Sequence, residues 1–168
     1  MLKVYETYKK VIVGLGKGID VVTVFLMLSM VGVVFYQVIM RQIFERPPIW
    51  GEEVAVTFMV WFVFLGIILG IEEGLHIGIT MFVRKLSKKA QFVIEIIINL
   101  LILLFAVLLV VYGYLFASSI IERGRLLPAT QVSAGIHYIV VPIAGVLMIL
   151  VLLGKVAGII INRKEWLV

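Results

Sequence analysis

Long apolar runs alternate with short charged segments along this chain. Four runs reach roughly the 20 residues that a helix needs to cross a ~30 Å hydrocarbon core. They contain 20, 18, 26 and 29 consecutive uncharged residues and lie between Asp20 and Arg41, Glu53 and Glu72, Glu95 and Glu122, and Arg125 and Lys155. The runs lack the alternation of a membrane strand, so they predict helices, whose backbones bond internally in lipid. We expect an all-α membrane protein, a single four-helix domain over residues 1–168, with spans at about 19–41, 51–72, 92–117 and 134–160.

Two further segments have the pattern of helices that lie in the membrane interface. Around residues 3–18 and 78–90, apolar side chains share one helical face and basic side chains share the other. Such helices rest in the headgroup plane, where basic groups meet anionic lipid. For the first segment the alternative is a ragged cytoplasmic start of the first span.

The distribution of lysine and arginine predicts the orientation. Eleven of the 15 basic residues lie before the first span, between spans 2 and 3, or in the C-terminal segment that begins at Lys155. The other four are Arg41, Arg46, Arg123 and Arg125. The positive-inside rule therefore places both termini in the cytoplasm and the links at 42–50 and 118–133 outside.

Composition narrows the class of protein. Apolar residues make up 63% of the chain and charged residues only 15%, whereas soluble domains contain about half and a quarter. The net charge of +5 is spread over segments that flank apolar runs, which favours a membrane surface over nucleic acid. The absence of cysteine excludes disulfides and thiolate metal sites.

Glu52 and Glu53 are adjacent acids at the start of span 2. The span's 18 uncharged residues rise about 27 Å, so this pair marks the outer end of the helix. Adjacent helical positions point about 100° apart, so the two carboxylates do not converge on one ion unaided. An end-cap or interface role, a contact with another subunit and an ion-coupling site remain open, in that order.

The other polar and special residues favour structural roles. Glu95 lies near the inner end of span 3, where pairing or hydration is expected. His76 and His137 lie at opposite membrane faces, which excludes a haem held between them within one chain. Gly66 and Gly70 permit close helix approach, and Pro142 predicts a kink in span 4. With no nucleophile–base set, metal cluster or broken spans, we expect no catalysis, cofactor or metal site, and a subunit rather than an enzyme.

Two groups of residues resemble the small membrane subunit of tripartite ATP-independent periplasmic (TRAP) transporters, the DctQ-like family. The first is Glu52-Glu53, Trp61, Phe64-Leu65-Gly66 and Gly74-Leu75-His76. The second keeps Pro128, Ala129, Gln131, Tyr138 and Pro142, and departs from the family pattern at Leu127, Thr130 and Ser133. The resemblance covers nearly the whole chain in length, span number and topology.

The resemblance implies a scaffold subunit in the bacterial or archaeal cytoplasmic membrane. A large membrane subunit would carry the sodium and substrate sites, and a periplasmic binding protein would deliver an organic acid. Contact or structural roles are then expected for the residues named above that match the family or lie at span ends: Glu52, Glu53, Trp61, Gly66, His76, Glu95, Pro128, Gln131, Tyr138 and Pro142. The alternatives are an accessory subunit of another membrane complex and a homo-oligomeric channel or carrier.

The outer charges suggest a docking surface. Arg41, Arg46, Arg123 and Arg125 lie with Glu52 and Glu53 at the outer ends of three spans. We expect these arginines to help dock the binding protein, or else simply to mark the membrane interface.

Overall fold

Four long helices make up most of the chain. The structure is a computed structural model that describes residues 2–72 and 87–161. Helices α1 to α4 span Leu2–Phe44, Trp50–Glu72, Lys88–Glu122 and Val140–Ile161, and a short 3₁₀ turn covers Ala134–His137. Within the described ranges no strand forms, and one isolated backbone bridge pairs Leu126 with Ser133. The predicted all-α fold class is confirmed.

All four helices contain a segment long and apolar enough to cross a membrane. These segments are Gly14–Phe44, Trp50–Ile71, Ala90–Glu122 and Ala134–Val156. The third extends five residues past the predicted end at 117, because residues 118–121 are uncharged and continue the helical backbone. The orientation of the termini stays a prediction.

The first helix runs without a break through the segment predicted as a separate interfacial helix. α1 has 43 residues, about 64 Å at 1.5 Å per residue. Residues 3–18 are therefore the start of the first helix, which was the alternative reading of their pattern. The second predicted interfacial helix, at 78–90, lies largely outside the described residues. Its last residues open α3, where the Ser87 hydroxyl caps the helix by accepting from the Ala90 N–H.

The helices pack in the spatial order α1, α2, α4, α3. α4 is central, because it contacts each of the other three helices. Its buried face includes Ala144, Met148 and Leu152, spaced four residues apart, and these residues meet Leu65 and Ile68 of α2 in the core. Four-residue spacing places side chains along one helical face.

Glycine permits the close approach of α3 and α4. A Cβ at Gly145 would lie 2.9 Å from the Ala106 carbonyl oxygen and 3.0 Å from the Val110 nitrogen. Both neighbours are backbone atoms, which cannot swing aside. Close contact through a small residue is how helices pack in lipid, where no hydrophobic force draws them together.

Large apolar side chains cover much of the outside of the bundle. Phe25 and Phe35 on α1 are each 66% exposed, and Tyr112 and Leu100 on α3 are 66% and 64% exposed. Lipid is the solvent that accommodates such a surface, and a partner helix can replace that lipid.

Pro142 lies closer to the start of its helix than the sequence predicted. α4 begins at Val140, after the 3₁₀ turn and a short break, so Pro142 lies in the first helical turn. A proline there removes no intrahelical hydrogen bond, because the first N–H groups of a helix have no partner within it. The apolar segment Ala134–Val156 is thus interrupted one turn before Pro142, and a kink in span 4 caused by this proline stays a prediction.

Candidate functional site

Two links meet at one end of the bundle. Residues 45–49 join α1 to α2, and residues 123–139 join α3 to α4. We call this end the linker end. It carries the residues that matched the family pattern around Glu52 and Pro128, and all four arginines of the predicted docking surface.

Left-handed backbone positions end the helices here. Gly124 has φ +60° and follows Arg123, the C-cap of α3, and its N–H donates to the Ile121 carbonyl. Glu45 has φ +54° directly after α1, and the Arg46 N–H bonds the Met40 carbonyl. Both are the left-handed C′ ending of helices, which satisfies carbonyls that the last turn leaves unpaired.

The longer link folds back on itself as a narrow loop. The Leu127 N–H donates to the Val132 carbonyl at 2.8 Å, and the Ala134 N–H donates to the Arg125 carbonyl at 2.8 Å. At the tip, Gln131 takes φ +57°, and its side-chain Nε2 donates to the Pro128 carbonyl at 2.7 Å. We call residues 128–131 the tip turn.

Glu53 of α2 binds the tip turn. Its Oε1 accepts from the Ala129 N–H at 2.8 Å. Its Oε2 accepts from the Thr130 N–H at 2.9 Å and from the Thr130 hydroxyl at 2.8 Å. Hydrogen bonds to an ionised carboxylate are stronger than those between neutral groups. Glu53 therefore fastens the loop to the start of α2.

One helical turn further along α2, Thr57 binds His137. The Thr57 hydroxyl lies 2.7 Å from the Glu53 carbonyl oxygen and 2.6 Å from His137 Nε2. A carbonyl oxygen only accepts, and the hydroxyl has one hydrogen, so that hydrogen goes to the carbonyl. His137 Nε2 must then carry the proton that it donates to Thr57.

A second turn further along α2, Trp61 makes a third contact with the 123–139 link. Its indole Nε1–H donates to the Ile136 carbonyl at 2.8 Å. Glu53, Thr57 and Trp61 are four residues apart, so they lie on one face of α2. This face binds the tip turn and the 3₁₀ turn of the 123–139 link, and we call the contact the α2–link seam.

Glu52 makes none of the hydrogen bonds of this seam. It is exposed, and within residues 2–72 and 87–161 its carboxylate has no hydrogen bond or ion pair. It borders two open cavities. The larger, of 440 Å³, is also lined by Ile49, Glu53, Val56, Pro128, Ala129 and His137. The smaller, of 290 Å³, lies towards α1 and is lined by Val34, Gln37, Val38, Arg41, Pro47, Ala55 and Val56 as well as Glu52.

The chemistry open to these groups is hydrogen bonding and charge pairing. Of the two adjacent carboxylates, Glu53 binds the tip turn and Glu52 borders the two cavities. Across the described part of the chain, no group of three or more His, Cys, Asp or Glu side chains could hold a metal ion. The seam thus acts as a fixed connection between α2 and the 123–139 link.

The remaining sequence-predicted residues are spread over the bundle. Arg41, Arg46, Arg123 and Arg125 are all exposed at the linker end. Tyr138 packs edge-on against the Phe116 ring of α3, with ring centroids 4.9 Å apart. Gly66 meets open space, because a Cβ there would contact nothing within 4 Å. His76 lies outside the described residues.

Glu95 is half-buried in α3, and a buried asparagine lies one turn further on. Asn99 is 2% exposed, and its Nδ2 donates to the Glu95 carbonyl at 2.7 Å. The Asn99 Oδ1 has no partner among the described residues.

Sequence reasoning missed the partners within the seam. Thr57 was not singled out, His137 was considered only as a possible haem ligand, and Thr130 was noted only as a departure from the family pattern. The available signal was the four-residue spacing of Glu53, Thr57 and Trp61 on an otherwise apolar helix. Pattern alone does not reveal which distant segment that face meets.

Comparison with known families gives one match. The family model described as the DctQ component of tripartite ATP-independent periplasmic transporters matches residues 30–161, well over half of the chain. The matched region runs from the middle of α1 to the end of α4 and includes the whole α2–link seam. No curated protein sequence matches the chain.

Proposed function

The chain belongs to the DctQ component family of tripartite ATP-independent periplasmic transporters, and on this premise we propose that it forms a non-catalytic scaffold with a larger membrane subunit. It is thus a small membrane subunit of a transporter. In the proposed division of labour, the larger subunit carries the sodium and substrate sites. A periplasmic binding protein delivers the substrate, an organic acid.

The hydrogen bonding of Glu53 is the observation that best supports this division. Glu52 and Glu53 were the residues that could have formed an ion-coupling site. Both carboxylate oxygens of Glu53 accept hydrogen bonds from its own chain. A carboxylate held by three donors is a fixed structural group. The Glu53 carboxylate therefore has a structural role at the linker end.

The exposed apolar surface also favours a scaffold. α1 and α3 lie at the two edges of the helix order, and both expose large apolar side chains along their length. Such faces suit a protein that is embedded in lipid and extends a larger subunit. They leave ample surface for a partner's helices.

We place the chain in the cytoplasmic membrane with both termini in the cytoplasm. The linker end then faces the periplasm. Its exposed residues Arg41, Arg46, Arg123 and Arg125 would help to dock the binding protein by pairing with acidic groups on its surface. Four acids, Glu45, Glu52, Glu53 and Glu122, lie at the same end, so specific pairs rather than a net positive charge would carry the contact. The lysines of the other links would face the cytoplasm.

Co-purification tests the proposal. The tagged chain would be co-expressed with the larger membrane subunit, extracted in mild detergent and sized by light scattering. We expect a complex of fixed stoichiometry between the two chains. An unrelated four-helix membrane protein, expressed in the same way, controls for non-specific association. Elution of the chain alone, as a monomer or homo-oligomer, would contradict the scaffold role.

A further inference from the structure

We propose that the 440 Å³ cavity at the linker end receives a lysine or arginine side chain of the larger membrane subunit, and that Glu52 is its charge partner. This inference rests on the proposed function, because it presupposes that subunit. It adds a specific socket and a specific chemistry for the occupant.

The first argument is that the two adjacent acids differ in their hydrogen bonding. Glu53 is occupied by the tip turn, whereas Glu52 makes no hydrogen bond or ion pair within the described ranges. Arg41 lines the smaller cavity together with Glu52 but forms no ion pair with it within residues 2–72 and 87–161. The carboxylate is therefore complementary to a cation from outside. The neighbouring Glu53 adds negative charge on the same side of the cavity.

The walls of the cavity are the second argument. Ile49, Val56, Pro128 and Ala129 give it an apolar lining, and the two acids and His137 provide the polar groups. Lysine and arginine combine an apolar stem with a charged tip, and the stem packs along apolar surface. The volume of 440 Å³ has room for one such side chain and part of its backbone.

The position of the cavity selects the larger membrane subunit over the soluble binding protein. Val56 lies within the apolar segment of α2, one turn beyond Glu52, and the adjoining smaller cavity reaches Val34 and Val38 of α1. These walls belong to the membrane spans. An occupant that reaches them must share the membrane boundary, which a subunit with its own spans does.

The seam keeps the socket in shape. Pro128 and Ala129 form one wall, and Glu53 holds that wall through the Ala129 N–H at 2.8 Å. The wall is therefore ordered before a partner arrives, which lowers the entropy lost on binding.

Site-specific photo-cross-linking tests which chain occupies the cavity. A benzophenone amino acid at Ile49, which is 83% exposed and lines the cavity, would be introduced into the co-expressed complex. We expect a cross-linked peptide of the larger subunit that contains lysine or arginine. Ile43 is the matched control, because it is exposed on the last turn of α1 but lines neither cavity, and it should not yield that peptide.

Charge variants test the pairing. In the purified complex, Glu52→Gln should weaken subunit association about fivefold and Glu52→Lys more, since a partly desolvated charge pair is lost or made repulsive. Reversal of the cross-linked basic residue should restore association with Glu52→Lys. Glu122→Lys, an exposed acid at the end of α3, should leave association unchanged. Circular dichroism of each variant alone would verify that the helices remain folded.

The outcomes separate this inference from the proposed function. If the wild-type complex forms but Glu52→Lys behaves like Glu122→Lys, the socket is refuted and the scaffold role stands. The same holds if the Ile49 probe marks only lipid or the binding protein. If the wild-type chains do not associate at all, the proposed function fails, and the socket fails with it.

Discussion

Glu53 and Thr130, 77 residues apart, are joined by two hydrogen bonds to a single oxygen: the backbone N–H and the hydroxyl of Thr130 both donate to Glu53 Oε2, at 2.9 Å and 2.8 Å. With the Ala129 N–H on Oε1, this pair fastens the 123–139 link to the start of α2. This carboxylate accepts three hydrogen bonds from the tip turn, and a mutation can remove it.

Glu53→Gln should loosen the tip turn. A glutamine side chain offers one acceptor oxygen and one NH₂ donor, so it cannot accept all three bonds. We expect several-fold faster hydrogen exchange at the Ala129 and Thr130 amides, measured by mass spectrometry of the 126–133 peptides. Glu52→Gln is the matched control and should leave that exchange unchanged. Equal exchange in wild type and Glu53→Gln would show that the clamp contributes nothing.

Thr57→Val should remove the bridge between α2 and His137. Valine keeps the shape of threonine but loses the hydroxyl that accepts from His137 and donates to the Glu53 carbonyl. We expect a loss of about 1 kcal/mol in stability, the usual net worth of a hydrogen bond, measured by thermal unfolding in detergent. Thr57→Ser keeps the hydroxyl and should lie closer to wild type. Identical melting of the Val and Ser variants would contradict this bridge.

Trp61→Phe should weaken the third contact of the seam. Phenylalanine retains an aromatic ring but lacks the indole N–H that donates to the Ile136 carbonyl. We expect a loss of about 0.5–1.5 kcal/mol and faster amide exchange in the 3₁₀ turn at Ala134–His137, detected by hydrogen exchange. Phe62→Leu, at a neighbouring position of α2, controls for a reduction in side-chain volume without the loss of a hydrogen bond, and it should leave that exchange unchanged. Unchanged exchange in the 3₁₀ turn of Trp61→Phe would rule out this role.

Gly145→Ala and Gly66→Ala should differ in effect. At Gly145 the new methyl would meet the Ala106 carbonyl oxygen at 2.9 Å, whereas at Gly66 it would meet open space. We expect Gly145→Ala to destabilise the chain by about 1–3 kcal/mol, as overpacking does, and Gly66→Ala to be tolerated in the isolated chain. Thermal unfolding of the two purified variants measures this. Equal tolerance would refute the close α3–α4 contact.

Reversal of the charges of Arg46 and Arg125 should impair docking of the binding protein. Both side chains are exposed at the linker end, so the double variant Arg46→Glu/Arg125→Glu leaves the core untouched. We expect slower association with the binding protein, and a smaller effect at high salt, because long-range charge attraction is screened. Surface plasmon resonance of the reconstituted complex measures the rate. Lys17→Glu, on the part of α1 away from the linker end, is the control. An unchanged association rate in the double variant would show that these arginines only mark the membrane interface.

Elements governed by local sequence could be predicted, and contacts between distant segments could not. The apolar runs identified all four helices because membrane length and internal bonding leave few alternatives. The two acids were placed at the start of α2, and their divergence followed from helical geometry. Whether Glu53 would meet Thr130 depended on how the 123–139 link folds, which rests on left-handed residues such as Gln131 and on tertiary hydrogen bonds.

The helix boundaries predicted from the sequence were inaccurate for the same reason. The continuous helix through residues 3–18 reflects cooperative extension that amphipathic periodicity does not exclude. The break at Tyr138 and Ile139, which puts Pro142 in a first helical turn, arises from the 3₁₀ turn held by Trp61 and Thr57. A count of apolar residues does not predict that break.

Sodium-driven uptake in proteoliposomes tests the central claim most directly. Vesicles would contain the chain alone, the larger subunit alone or both, with the binding protein outside and labelled organic acids as substrates. The scaffold account predicts sodium-dependent uptake with both subunits, none with the chain alone, and uptake that depends on the binding protein. Sodium-dependent uptake by the chain alone would contradict it.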